Sequence, residues 1–206
     1  MNICLLGATG RVGSILLEHA LSQGFHVQAL ARKPEKLPSI SPLLTVTEGN
    51  ALDPQALKQV MKNADVVISA LNTGKNNTLS LSIPFIIQAM KEHDIKRIIT
   101  IGTAGILQAR SEPEHFRFQT AESKRKSTHD AEDHLKVFYF LKESDLDWTI
   151  VCPTYLPIGE RKGVYRYEID FLPEKPSSIS IFDTADFAFQ LLFSNEFVHC
   201  RVGLTY

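Results

Sequence analysis

A chain of 206 residues has the length of one ordinary domain, since a single core commonly serves about 100–200 residues. Hydrophobic residues make up 44% and charged residues 22%, which excludes a disordered tail, a collagen-like fibre and a coiled coil. Lys and Arg number 22 against 23 Asp and Glu, a formal net charge of −1, so no global field draws the chain to a polyanion and no nucleic-acid partner is expected. Cys4, Cys152 and Cys200 lie far apart, with no C-x-x-C pair for zinc or thiol exchange, and point to a reducing, cytoplasmic setting. No charged leader precedes MNICLLGATG and no run of about 18 apolar residues occurs, so neither export nor a membrane is expected.

In chain order, the apolar run Ile3–Leu6 gives way to glycines and then to Val12, Ile15, Leu16, His19 and Ala20 at helical spacing, which predicts strand, turn and helix. Further strands are predicted at His26–Ala31, Leu44–Thr47 and Ala64–Leu71, the last with the near-continuous apolar run of a buried parallel strand. A helix over Ser80–His93 precedes the strand Lys96–Ile101. A second helix, Ala131–Glu143, puts Ala131, His134, Leu135, Phe138 and Leu141 on one face, and Trp148–Cys152 reads as a strand with Trp148 in the core. This alternation predicts an α/β fold, a single Rossmann-type doubly wound parallel sheet with helices on both faces.

Two stretches break the rhythm. Gln108–Ser127 is charged and aperiodic and reads as a long surface loop after the KRIITI strand, with Lys124-Arg125-Lys126 as a solvated patch too short for a nucleic-acid footprint. Pro153–Ser178 holds four of the ten prolines and is expected to form a small substrate lobe, about 153–180, with a hairpin around Val164–Ile169. Both fall at the carboxyl edge of the sheet, where open α/β folds bind ligands. A helix over Asp183–Phe193 and a strand over Arg201–Leu204 end the single domain, 1–206.

Gly7-Ala8-Thr9-Gly10-Arg11-Val12-Gly13 spaces its glycines G-x-x-G-x-x-G between the first strand and the first helix. Gly7 suits a tight turn, Gly10 a backbone that approaches a pyrophosphate, and Gly13 close packing of helix on strand; the N–H groups of the helix start then attract phosphate. An NAD site places Asp or Glu about 20 residues further on. Here no acidic residue falls between Glu18 and Glu35, and the second strand ends in Ala31-Arg32-Lys33. A guanidinium suits bidentate contact with a 2′-phosphate and Lys33 adds a second charge, so NADP(H) is expected over NAD(H).

GATGRVG, Arg32, ALNTG (Ala70–Gly74), the stretch at Gly102–Gly105, ESDLDWTIVCP (Glu143–Pro153) and the tail from Ile179 together resemble the atypical short-chain dehydrogenases. The likeness is to the NAD(P)H-binding branch that includes biliverdin reductase B / flavin reductase and NmrA-like proteins, over essentially the whole chain. It implies that Gly7, Thr9, Gly10, Arg11 and Val12 hold the pyrophosphate and Arg32 the 2′-phosphate. Asn50 and Ala51 would meet the adenine, with Asn50 standing where an Asp is usual. Ala70, Leu71 and Asn72 would line the cofactor, Thr103 would sit beside the nicotinamide where flavin reductase-like members carry serine, and Pro153, Thr154, Tyr155 and Leu156 would wall the amide.

Conventional short-chain dehydrogenases place a Lys four residues after the catalytic Tyr. The residues four beyond Tyr139, Tyr155, Tyr165 and Tyr167 are Glu143, Gly159, Ile169 and Phe171, and Tyr206 is last, so that acid is absent. A conjugated acceptor such as a flavin, a quinone or a tetrapyrrole takes hydride with a proton from water and needs positioning more than an acid. The reading is thus an NADPH-dependent reductase of a small conjugated acceptor, with Thr103 as its candidate catalytic residue or simply a cap on its strand. The alternative is an NmrA-like redox sensor that binds NADP(H) without turnover and engages a protein partner. A nucleotide-sugar epimerase is disfavoured by the short chain beyond Pro153 and the missing Tyr/Lys pair. His129, Asp130, Glu132, Asp133 and His134 lack the i, i+4 histidines of a metal site, and Ser127 with Asp130 reads as a helix start, so no metal is expected.

Overall fold

The computed structural model describes residues 1–37 and 41–206. β1 (Asn2–Leu6), β2 (His26–Ala31), β3 (Leu44–Glu48), β4 (Val66–Ser69), β5 (Arg97–Ile101), β6 (Asp147–Pro153), β7 (Arg166–Ile169) and β8 (Cys200–Thr205) form one sheet in the order β3-β2-β1-β4-β5-β6-β8-β7. Every pairing is parallel except β7 with β8. The helices are α1 (Arg11–Ser22), α2 (Pro54–Val60), α3 (Thr78–Glu92), α4 (His129–Lys142) and α5 (Ile181–Gln190).

Both faces of the sheet are buried because strand residues alternate between two cores. β1 sends Cys4 and Leu6 to the face covered by α2, α3 and α4, and Ile3 and Leu5 to the face covered by α1 and α5. β6 divides likewise, with Trp148, Ile150 and Cys152 on the first face and Val151 on the second. The doubly wound expectation therefore holds, and Trp148 is in the core.

Helix ends follow local chemistry. Asp53 caps α2 by accepting from Gln55 N–H at 2.9 Å, with Pro54 in the first turn, and Ser180 caps α5 by accepting from Asp183 N–H at 3.1 Å. α3 is capped from another helix. Asn77 is left-handed and contributes no side-chain bond, and the buried Asp133 carboxylate of α4 accepts from Leu79 N–H at 3.2 Å and Ser80 N–H at 3.1 Å. α4 itself begins after Thr128, one residue beyond the expected Ser127.

Two expectations are corrected. The strand predicted over Ala64–Leu71 is confined to Val66–Ser69, so Ala70 and Leu71 lie beyond it in the turn that faces the glycines. The hairpin expected around Val164–Ile169 does not form: Arg166–Ile169 pair antiparallel with β8, Arg166 opposite Thr205 and Ile169 opposite Val202. Local turn signals fixed a strand there, but its partner lies beyond α5. Among the described residues no helix is long and apolar enough to cross a membrane.

Candidate functional site

The strand order reverses at β1, with β2 and β3 to one side and β4, β5, β6 and β8 to the other. That switch point is where open α/β sheets leave a crevice. The glycine run lies on it. Gly7 has φ +85°, and a Cβ there would come within 2.5 Å of Ala70 O, so the turn out of β1 and the end of β4 approach too closely for any side chain. Gly10 N–H closes the turn onto Gly7 O at 2.9 Å. Gly13 sits in the first turn of α1, where a Cβ would stand 2.1 Å from Gly7 O.

The start of α1 is left open to a ligand. Gly10 occupies its N-cap and so supplies no side-chain acceptor, and its first turn holds no acidic residue. Uncapped N–H groups at a positive helix end, beside a turn with glycine at both its ends, fit a pyrophosphate. Arg11 reaches across the crevice and donates to Leu156 O at 2.9 Å, tying α1 to the segment after β6.

Arg32 and Lys33 follow β2, both exposed, and neither forms an ion pair among the described residues. Gly49 N–H donates to Ala31 O at 3.1 Å, which brings the ends of β2 and β3 together. Asn50 begins the turn there, its Oδ1 accepting from Leu52 N–H at 3.1 Å, and Ala51 is buried beneath it. Ala70 and Leu71 are half-buried and Asn72 exposed beyond β4. Every residue singled out from the sequence thus falls on the carboxyl edge of the sheet, at the ends of β1 through β6.

Past β5 and β6 this edge opens into a cleft of about 940 Å³. Thr103, Pro153, Thr154 and Tyr155 line it, whereas the glycine turn, Arg32, Lys33, Asn50 and Ala51 do not. The predicted residues therefore divide between the edge at β1 to β4 and a cleft at the ends of β5 and β6. Thr103 is buried, and its hydroxyl accepts from Gly105 N–H at a long 3.4 Å, capping a 3₁₀ turn over Ala104–Ile106. Its own proton has no acceptor among the described residues, so capping and donation into the cleft are compatible. Burial pushes the Cys152 thiol beneath it up to about 12, which removes it as a thiolate. Tyr155, the phenol on the lining, is 70% exposed.

Most of the cleft's remaining walls come from the two segments expected at this edge, Gln108–Ser127 and the lobe at about 153–180. Residues 104–110, 117–127 and 172–177 contribute to them. The first loop is held by Glu122, which accepts from Ser111 N–H at 2.8 Å and Arg117 Nε at 3.0 Å. Its partial burial would raise the carboxyl pKa, and these donors more than offset it and hold it low. Arg110 pairs with Glu168 and donates to Leu172 O at 2.8 Å, joining the loop to the 172–177 segment. Beside the predicted Asn72, Thr73 buries a hydroxyl with no partner among the described residues. The loop's charge and its place at this edge were legible beforehand, whereas which of its side chains face inward depends on distant partners.

A family model described as NAD(P)H-binding matches residues 7–195, spanning the glycine turn, the crevice and both cleft loops. The chain belongs to this family. Among curated relatives, an undecaprenyl-diphosphate-linked N-acetylglucosamine 4-epimerase of Escherichia coli O157:H7 is 26% identical over 180 residues, 82% of this chain and 52% of its own, so the chain spans about half that relative's length. Among solved structures, a Bacteroides thetaiotaomicron protein provisionally described as an epimerase has a TM-score of 0.87 at 28% identity, covering 100% of this chain and 96% of its own. A Streptococcus pneumoniae TIGR4 protein provisionally described as an NADH-flavin reductase has 0.85 at 23%, covering 100% and 99%. ChuY, an anaerobillin reductase of Escherichia coli O157:H7, has 0.82 at 21%, covering 100% and 97%. At these last two identities the likeness is one of fold.

Proposed function

We propose that this member of the NAD(P)H-binding family is an NADPH-dependent reductase of a small conjugated acceptor. The observation that carries the reading is that Thr103 and Pro153–Tyr155, the residues the resemblance sets beside the nicotinamide, line a cleft large enough for a second molecule. The reductase descriptions of two structural neighbours support it.

When bound, the dihydronicotinamide supplies a hydride. The turn at Gly7–Gly10 and the open start of α1 bind the pyrophosphate. Arg32 and Lys33 hold a 2′-phosphate, which favours NADPH, and Asn50 and Ala51 flank the adenine. Pro153, Thr154 and Leu156 fix the amide face, with Arg11 anchoring Leu156 from below. Thr103 donates its free hydroxyl proton in a hydrogen bond to the nicotinamide amide or the acceptor and so orients it. Without a Tyr/Lys acid, water supplies the proton, which suits an acceptor whose conjugation stabilises the added charge. The free thiols of Cys4, Cys152 and Cys200 accord with a reducing, cytoplasmic setting.

The test is anaerobic oxidation of NADPH and NADH by the purified protein with FMN, riboflavin and a simple quinone, alongside Arg32→Ala. Turnover is expected with NADPH preferred, and the variant should lose about tenfold or more in NADPH affinity, the scale of one charge-assisted hydrogen bond, with little change for NADH. Tight NADP(H) binding with no oxidation above background would replace this reading with a sensor that needs a protein partner.

A further inference from the structure

Far from the cofactor edge, the sheet ends on a strand that no other element covers among the described residues. β7 is last in the strand order and pairs only with β8. Asp170, just past β7, donates its N–H to Arg201 O at 2.7 Å, and in an antiparallel ladder such bonded pairs alternate with unbonded ones. Glu168 and Arg166 therefore turn their backbone groups toward Gly203 and Thr205 of β8, while Tyr167 and Ile169 turn theirs away. Leu204, opposite Tyr167, agrees: its carbonyl points to the far side of β8 and accepts from Thr154 N–H at 3.1 Å. No described residue bonds the outward groups of Tyr167 and Ile169.

An open edge invites another strand, and proteins commonly block it with lysines, a proline or a covering loop. Residues 164–170 hold neither lysine nor proline, Val164 is 80% exposed, and Tyr167 and Ile169 are nearly half exposed. Tyr165 and Tyr167 lie on the α5 face, where both rings meet Phe187, so Arg166 and Glu168 lie on the other face.

The charges on this edge discriminate among partners. When a second copy adds antiparallel about a two-fold axis, outward-facing residues must meet outward-facing ones, so Tyr167 stands opposite the partner's Tyr165, the partner's Tyr167 or the partner's Ile169. The first register sets Arg166 against the partner's Arg166, and the last sets Glu168 against the partner's Glu168. The central one sets Arg166 against the partner's Glu168, and does so on both sides of the axis. Both groups have capacity left. Arg166 donates to backbone oxygens of Glu174, Lys175 and Tyr206 but has no carboxylate side-chain partner among the described residues. Glu168 holds Arg110 through Oε2, and its Oε1 has no partner among the described residues.

We infer that β7 is a self-association edge, through which two copies of this chain pair antiparallel, centred on Tyr167, and join their sheets into one. Tyr167 exchanges N–H···O=C bonds with the partner's Tyr167, the aromatic stripe runs on across the axis on the α5 face, and Arg–Glu pairs close the opposite face. The inference is independent of the reductase reading.

Sedimentation velocity of the purified chain from about 2 to 500 μM is the test, since association follows mass action. A short edge makes a small interface, so a dissociation constant of about 10–100 μM is expected, with the mass moving from 23.1 kDa toward twice that value. Arg166→Glu sets like charges opposite on both sides of the axis, and so does Glu168→Arg; each alone should stay monomeric where the wild type is half dimeric. Mixed in equal amounts, the two variants again oppose acid to base and should form a heterodimer with an affinity within about threefold of the wild type's. Loss of structure cannot produce that rescue, and far-UV circular dichroism checks that each variant is folded. Tyr167→Pro removes an N–H that faces away from β8, and should weaken association about tenfold or more with the dichroism unchanged; it decides the matter if a charge variant is unfolded. A wild type that stays monomeric to the highest concentration, its edge then left to a strand of another protein, overturns the inference. So does a dimer that the folded variants retain, or one that the charge variants abolish and their mixture fails to restore.

Discussion

Gly13→Ala sets two effects against each other. Replacing glycine inside a helix ordinarily stabilises by about 1 kcal/mol. Here the new Cβ would stand 2.1 Å from Gly7 O, 2.8 Å from Gly7 C and 3.2 Å from Ala8 Cα, all backbone atoms with no rotamer to yield. Ordinary contact begins near 3.4 Å, so α1 and the turn must separate by more than an ångström. Overpacking of that kind costs about 1–3 kcal/mol, and rigid neighbours put this case at the upper end or beyond. The clash wins, leaving a net loss of about 2 kcal/mol, or about 4–8 °C in Tm for a chain of this size. The separation also spreads the phosphate cradle, so NADP⁺ affinity should fall at least tenfold. Differential scanning calorimetry with and without NADP⁺ reads both effects, and Gly24→Ala is the control. Gly24 has φ +77° with nothing within 4 Å, so alanine there meets backbone strain of about 1–2 kcal/mol and leaves cofactor binding alone. A Gly13→Ala protein as stable as the wild type, with unchanged NADP⁺ affinity, would refute the reasoning.

Asp133→Asn keeps the shape of the interhelical cap but removes its charge and one acceptor, leaving a buried amide beside Leu79 N–H and Ser80 N–H; a loss of about 1–3 kcal/mol is expected from urea unfolding. Burial lowers the His134 pKa from 6.5 to about 4, with Asp133 and Asp130 opposing the shift. The unfolded chain therefore takes up a proton that the fold refuses, so the stability this group contributes is complete above pH 6.5 and is lost as pH falls toward 4, by about 2–3 kcal/mol. Urea midpoints at pH 7 and pH 5 should differ less in His134→Leu than in the wild type, and equal differences would exclude His134 as the cause.

How much could be read beforehand depended on whether the signal was local. His26–Ala31 was located to the residue, because its apolar residues Val27, Ala29, Leu30 and Ala31 fall between Gly24 and the basic Arg32. The glycine turn was legible because spacing and position relative to β1 are both sequence properties, and the positions taken from the family resemblance lie along one edge of the sheet. What failed was partnership at long range. Val164–Ile169 signalled a strand but not that β8 would pair with it, and Asp133 looked like one of a string of helix acids although it serves a different helix. Lys124 and Arg125 read as solvated charge, and they are exposed, but the Arg117–Glu122 contact folds their loop along the cleft.

The bond from Arg11 to Leu156 O has a thermodynamic consequence. If the cofactor binds as proposed, one guanidinium would serve both the pyrophosphate end of the site and, through Leu156, the wall beside the nicotinamide, so the two halves of the dinucleotide would not be bound by independent subsites. A fragment carrying only the adenosine and its phosphates, if it drew on Arg11, would then disturb the segment expected to meet the other end. Fragment affinities measured separately should then fail to sum to that of the intact cofactor, and Arg11→Ala should restore their additivity while weakening both.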